Sequence, residues 1–229
     1  MGFSNIPVAL GEQLLLHVKM ANPTHALEYS LEKLEIGDLT GNLLNDNTKK
    51  AFWINIYNAY FQILSVRERK AKPEIFRQKL IIIAGRKFSL DDIEHGILRK
   101  YRWKFSLGYL PQLFPSDTIR KLAVSTIDYR IHFALNCGAK SCPPIAFYKI
   151  DSIEKQLDLA TQSFLENETI VDEEKKLVTV TKLMRWFKGD FGGKDGIKTI
   201  LARYLRRDFK SFTISYSEYN WDTSLNNFT

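Results

Sequence analysis

Residues 47–70 read NTKKAFWINIYNAYFQILSVRERK. Phe52, Ile56, Ala59 and Ile63 recur at helical spacing, and Trp53, Tyr57, Tyr60 and Leu64 widen the stripe. A helix apolar around most of its girth must be surrounded by other elements, so this one is expected at the centre of the fold. Two asparagines, Asn55 and Asn58, sit three apart within it. Asn is a poor helix former, and a buried amide must find partners. They are read either as clamps on a neighbouring loop or as substrate-orienting amides.

Working outward, the first forty residues read as helical, broken at Asn22-Pro23. TGNLLNDN (40–47) reads as a loop. KLIII and KFSL read as short strands around Gly85. Ser89 followed by Asp92 resembles a capping box at the head of a helix LDDIEHGILRK. RIHFAL (130–135) reads as a strand ended by Gly138 and Pro143-Pro144. Beyond it come a helix SIEKQLDLATQSFLE, a hairpin TIVDEEKKLVTV, a helix KLMRWFKGDF stopped by Gly192-Gly193, a helix GIKTILARYLRR and a last strand FKSFTISY. Helices outnumber short strands, which predicts an α+β fold. One helix-rich domain over 1–229 is expected, with a small, mostly antiparallel sheet packed on the long central helix and a helical segment at 1–40.

The 229 residues, 45% hydrophobic and 26% charged, are ample for a sizeable core. The net charge is +7. Basic clusters at 67–70, 99–104 and 203–207 form no long run and accompany no nucleic-acid signature, so they read as solvated helix surfaces and no nucleic-acid partner is expected. No apolar stretch approaches the roughly 20 residues of a membrane span. The first twenty residues lack a charged and then apolar leader pattern, and Ile6 breaks the myristoylation pattern. These features assign no compartment. No phosphate-binding loop or dinucleotide fingerprint occurs, and no cofactor is expected.

Chemistry concentrates in HFALNCGAKSCPP (132–144), which holds both cysteines. Read as a strand, it puts Ile131, Phe133, Leu135 and Cys137 on one side and His132, Ala134 and Asn136 on the other. Cys137 then reads as a small core hydrophobe, and Cys142 as a thiol on a proline-stiffened loop. A nucleophilic thiolate needs a nearby His or cation, and His95 and His132 are the available bases. The structural counterpart is a loop cysteine with no chemistry, or one disulfide-bonded to Cys137. The H-x4-C-x4-C set of His132, Cys137 and Cys142, with His95 as a fourth donor, suits zinc by residue type. The strand alternation separates those donors, so no metal ligands are assigned.

KAFWINIYNAY, LDDIEHGILR, RIHFALNCGAKSCPPI, MRWFKGDFGG and YNWDTSLN occur here in the order seen in the domain of unknown function 547 family, and the chain resembles that family from about residue 45 to 226. The resemblance singles out Trp53, Asn55, Tyr57, Asn58, Glu94, His95, Arg99, His132, Cys137, Cys142 and Pro143, and implies a bacterial or plant relative without implying an activity. The leading reading is a cysteine-dependent hydrolase or acyl transferase acting on a small molecule or peptide. Cys142 is its nucleophile, His95 or His132 its base, and Glu94 an orienting group. Asn55, Asn58, Trp53, Tyr57, Asn136 and Arg99 would bind or orient substrate. A non-catalytic module clamped by the Asn, His and Cys cluster is the alternative, and a zinc site the third reading.

Overall fold

The structure is a computed structural model that describes residues 5–229. The reading of the first four residues, including Gly2 of the myristoylation pattern, lies outside them. The chain runs through α1 (Ile6–Lys19), α2 (His25–Lys33), α3 (Ile36–Asn42), α4 (Asp46–Val66), α5 (Glu74–Arg77), the hairpin β1 (Ile81–Ile83) and β2 (Arg86–Phe88), a π-helical segment Asp92–Leu98, and α6 (Asp117–Leu122). After a 3-10 turn at Tyr129–Phe133 come α7 (Ile153–Glu168), β3 (Ile170–Asp172), β4 (Leu177–Val180), α8 (Leu183–Trp186), α9 (Gly193–Leu205) and β5 (Thr213–Tyr216). The fold is α+β.

The long helix is central, as its composition demands. Asn45 caps α4, its side chain accepting from the Thr48 amide while the Thr48 hydroxyl answers the Asn45 amide. Every residue from Lys50 to Leu64 is buried. α1 packs along it, with Gly11 against Phe52, and Phe88 of β2 lies 5.4 Å from the Trp53 ring. A second apolar cluster gathers Phe164 and Leu165 of α7, Val178 and Val180 of β4, and Ile197 and Leu201 of α9.

The expected single sheet is two. β1 and β2 pair antiparallel, while β3, β4 and β5 form a separate sheet in that order, antiparallel then parallel. β5 reaches β4 only after α9 has crossed over, a non-local pairing that short apolar runs do not encode. Only the hairpin sits on α4; the three-stranded sheet belongs to the second cluster.

Three local readings are corrected. RIHFAL is not a strand. Asp128 accepts from the Arg130 amide and starts a 3-10 turn, in which the Ala134 amide donates to the Ile131 carbonyl. A six-residue run with no neighbouring strand to pair with satisfies its backbone locally instead. The segment is pinned by ion pairs: Asp128 takes Lys50 of α4, and Arg130 takes Asp128, Glu154 and Asp158. The helix expected through KLMRWFKGDF ends at Trp186 and is followed by turns. Thr40–Asn42 of the expected loop finish α3.

Candidate functional site

Asn58 reaches from α4 to the 134–136 backbone, donating to the Ala134 carbonyl at 2.9 Å and accepting from the Asn136 amide at 2.9 Å. Asn136 in turn donates to the Pro143 carbonyl and accepts from the Gly138 amide. Both asparagines are fully buried. Together they fix the two ends of the cysteine loop to the central helix. Asn55 does the same for another strand of chain, exchanging two bonds with the Tyr148 backbone. Losing any of these amides would leave buried backbone groups unpaired, at about 1–3 kcal/mol each. The asparagines are therefore clamps, and Asn55 lies outside the site. Trp53 is likewise a core residue packed on Phe52 and Phe88.

Within the loop, Cys137 and Cys142 form a disulfide. Cys142 is buried and Cys137 half-buried. The Cys137 amide donates to Cys142 Sγ at 3.1 Å, and the Tyr219 hydroxyl lies 3.1 Å from Cys142 Sγ and 3.3 Å from Cys137 Sγ. Gly138 sits between them at φ +68°, where a Cβ would come within 2.5 Å of the Phe61 ring, so this position requires glycine. The C-terminal segment runs along the loop. The Lys140 amide donates to the Asp222 carbonyl, the Ser224 amide to the Gly138 carbonyl, and the Asn220 amide to the Ser141 hydroxyl.

The π-helical segment supplies the facing wall. Ser89 and Asp92 exchange the expected capping-box bonds at its head. π-turns are rare and concentrate at functional sites. Here the wide turn, closed by the Arg99 amide on the Glu94 carbonyl, presents Glu94, His95 and Arg99. The Tyr57 hydroxyl of α4 donates to Glu94 Oε2 at 3.2 Å. Arg99 is wholly buried and forms the hub of a polar chain. Its Nε donates to Asp190 Oδ2 at 2.6 Å, its Nη1 to His95 Nδ1 at 2.7 Å, and its guanidinium lies 4.5 Å from the centre of the Phe187 ring. The same Asp190 oxygen accepts from His132 Nε2 at 2.9 Å, and the His132 ring stacks on Phe187 with centroids 4.0 Å apart.

Charge states follow. Burial pushes Asp190 up, but the His132 hydrogen bond and the Arg99 guanidinium outweigh it and hold the carboxyl below its usual range. Burial lowers His132, with Arg99 adding to the effect against Asp190, so the ring is neutral and donates through Nε2. Burial and then Arg99 hold His95 well below its ordinary value. Its Nδ1 is already spent accepting from Arg99, so His95 is not a free base. Burial, reinforced by Asp91 and opposed by Arg99, raises Glu94 from 4.5 to about 7.

A raised acid loses its stabilising contribution as pH rises. Below pH 4.5 Glu94 is protonated folded and unfolded. Between 4.5 and about 7 only the folded state keeps the proton, so stability falls across that window. Glu94→Gln is therefore expected to gain stability relative to the parent between pH 4.5 and 8, on the order of 2–3 kcal/mol at about 1.4 kcal/mol per pKa unit. Urea unfolding at the two pH values checks this; an advantage equal at both would contradict it.

These groups meet at one cavity of about 240 Å³, lined by Tyr57, Glu94, His95, His132, Cys137, Cys142 and Tyr219, with Leu183, Trp186, Phe187 and Trp221 among the apolar walls. It lies at the seam of the two apolar clusters. Of the residues singled out in the sequence, Cys142, His132, His95, Glu94 and Tyr57 converge there. Asn58, Asn136 and Arg99 hold it from behind. The strand alternation that set His132 and Cys137 apart fails with the strand itself, since both line the cavity. The zinc set does not assemble, because the sulfurs are bonded to each other and His132 Nε2 to Asp190. Among the described residues no three His, Cys, Asp or Glu side chains gather as a metal site.

Sequence reasoning missed Asp190 and Tyr219. Both lie within motifs it quoted, KGDFGG and YNWD, but nothing local marks them as neighbours of a loop 50–80 residues earlier.

No curated protein and no solved structure matches the chain. The family model described as "Protein of unknown function, DUF547" matches residues 42–165, from the cap of the central helix through the cysteine loop into α7, and the chain belongs to that family.

Proposed function

We propose that the cavity is a thiol–disulfide exchange site, with the Cys137–Cys142 pair as its redox group. The observation that carries the reading is a disulfide lining an apolar cavity, with one cysteine half-buried, the other buried, and two donors on the sulfur of the buried one. An incoming thiolate attacks Cys137, the more accessible cysteine. The S–S bond breaks and Cys142 leaves as a thiolate. As charge develops on Cys142, the Cys137 amide and Tyr219 hydroxyl stabilise it more than they stabilise the neutral disulfide, which is the condition for catalysis. A lower leaving-thiol pKa speeds exchange. Glu94, partly protonated near pH 7, faces the same cavity and supplies a proton. A second substrate thiol then releases Cys137, giving a substrate disulfide and the protein dithiol.

Asymmetric trapping tests the assignment. Cys142→Ser, mixed with oxidised glutathione, is expected to take up one glutathionyl group on Cys137, read by mass spectrometry. Cys137→Ser is expected to label at least tenfold more slowly. Equal labelling of the two would remove the assigned roles.

One observation favours a second reading, acyl transfer by the reduced protein. His132, oriented by Asp190, shares the cavity with Cys142, giving a Cys–His–Asp set. It requires reduction first, and among the described residues neither sulfur is hydrogen-bonded to a histidine. An activated thioester acylating Cys142 only after reduction, and not in His132→Gln, would support it.

A further inference from the structure

The stretch between the π-helical segment and α6 contains WKFSLGYLPQLF (103–114). It exposes Trp103, Phe105, Leu107, Tyr109, Leu110, Leu113 and Phe114, seven large apolar side chains in twelve residues. Leu113 and Phe114 are 82% and 85% exposed. Isolated exposed apolar residues are ordinary, but a contiguous group of this size marks an interaction surface.

The loop is held, not loose. The Trp103 amide donates to the Leu110 carbonyl, the Gln112 amide to the Tyr101 carbonyl, and the Tyr109 amide to the Ser106 carbonyl. Its root is pinned where the Gly189 amide donates to the Leu107 carbonyl, with Gly108 packed against Gly189 and Asp190. The backbone is thus partly satisfied while the apolar side chains face outward.

The charge around it is cationic. From residue 99 to 121 there are six basic residues and one acid, Asp117. Arg99 is consumed by Asp190 and Lys104 by Asp91, which leaves Lys100, Arg102, Arg120 and Lys121 with no ion pair among the described residues. The nearby acids are Asp91, paired with Lys104, and Asp92, paired with Lys79.

We propose that this loop docks the protein on an anionic lipid surface. Trp, Tyr, Phe and Leu on a loop ringed by Lys and Arg match the chemistry of a bilayer interface: aromatic rings at headgroup level, leucines toward the acyl boundary, cations on the phosphates. No helix among the described residues is long and apolar enough to cross a membrane; the contact proposed is a peripheral one made by the loop. The proposal stands apart from the thiol chemistry.

Vesicle sedimentation tests it, with phosphatidylcholine alone or with about 30% phosphatidylserine at near-physiological salt. The full chain is expected to sediment with the anionic vesicles, less so as salt rises, with a blue-shifted tryptophan emission that Trp103→Phe removes. Leu113→Ser/Phe114→Ser should weaken partitioning at least tenfold, given the free energy of burying two such side chains. Its circular dichroism and glutathione reactivity should be unchanged. No binding to anionic vesicles, equal binding to neutral ones, undiminished binding by the double variant, or self-association through the loop in its place would overturn the proposal.

Discussion

Asp190→Ala is expected to lose about 3–5 kcal/mol of stability, the cost of breaking a buried pair from one side. The side chains of Arg99 and Asp190 are both fully buried. Without the carboxylate, the guanidinium keeps a neutral imidazole as its hydrogen-bond partner and the Phe187 face, and the His132 Nε2–H loses its acceptor. Measured stabilities of folded proteins are about 5–15 kcal/mol, so this is a large share. At about 2–4 °C per kcal/mol for a chain of this size, melting should fall by roughly 6–20 °C. Arg99→Met is expected to cost a similar amount. The double variant Arg99→Met/Asp190→Leu should be less destabilised than the sum, because neither charge is then orphaned. Additive losses, or a single-variant loss below about 1 kcal/mol, would mean the pair is not the hub of the site wall.

Cys137→Ser is expected to abolish turnover of a dithiol–disulfide exchange assay, by at least about a thousandfold, since covalent capture and release both pass through that sulfur. Cys142→Ser should abolish turnover equally but keep the capture step, which separates attacked sulfur from leaving sulfur. Tyr219→Phe removes one hydroxyl within 3.3 Å of both sulfurs. It should slow exchange about tenfold, the worth of one hydrogen bond to a developing charge at about 1.4 kcal/mol. A Tyr219→Phe rate equal to the parent's would show that the hydroxyl serves packing alone.

The sequence announces its local structure better than its site. The fifteen buried residues from Lys50 to Leu64 are legible because a helix without a polar face can only be central. The capping box at Ser89 and the Asn58 clamp are legible because their partners are few residues away or their chemistry demands one; the Asn45 cap, inside a stretch that reads as a loop, is not. RIHFAL misleads because alternation marks a strand only where another strand pairs with it, and pairing is a property of the whole fold. That error moved His132 away from Cys137. Asp190 and Tyr219 escape notice for the same reason. Asp190 meets Arg99 across 91 positions and Tyr219 meets Cys142 across 77, and no local period records such distances. Family resemblance gathered the motifs in order without saying which touch.

The central claim is that the Cys137–Cys142 disulfide is a reactive group of the folded protein. Its redox equilibrium is the most direct measurement. Native protein is held in graded ratios of reduced to oxidised glutathione, quenched with an alkylating agent, and the 137–142 segment is weighed, starting from both oxidised and reduced samples. A reactive pair gives the same two-electron transition from either direction with the fold intact, and faster alkylation of Cys137 than of Cys142. A pair that stays oxidised across the whole range until denaturant is added would be a structural staple, and the exchange site would not exist.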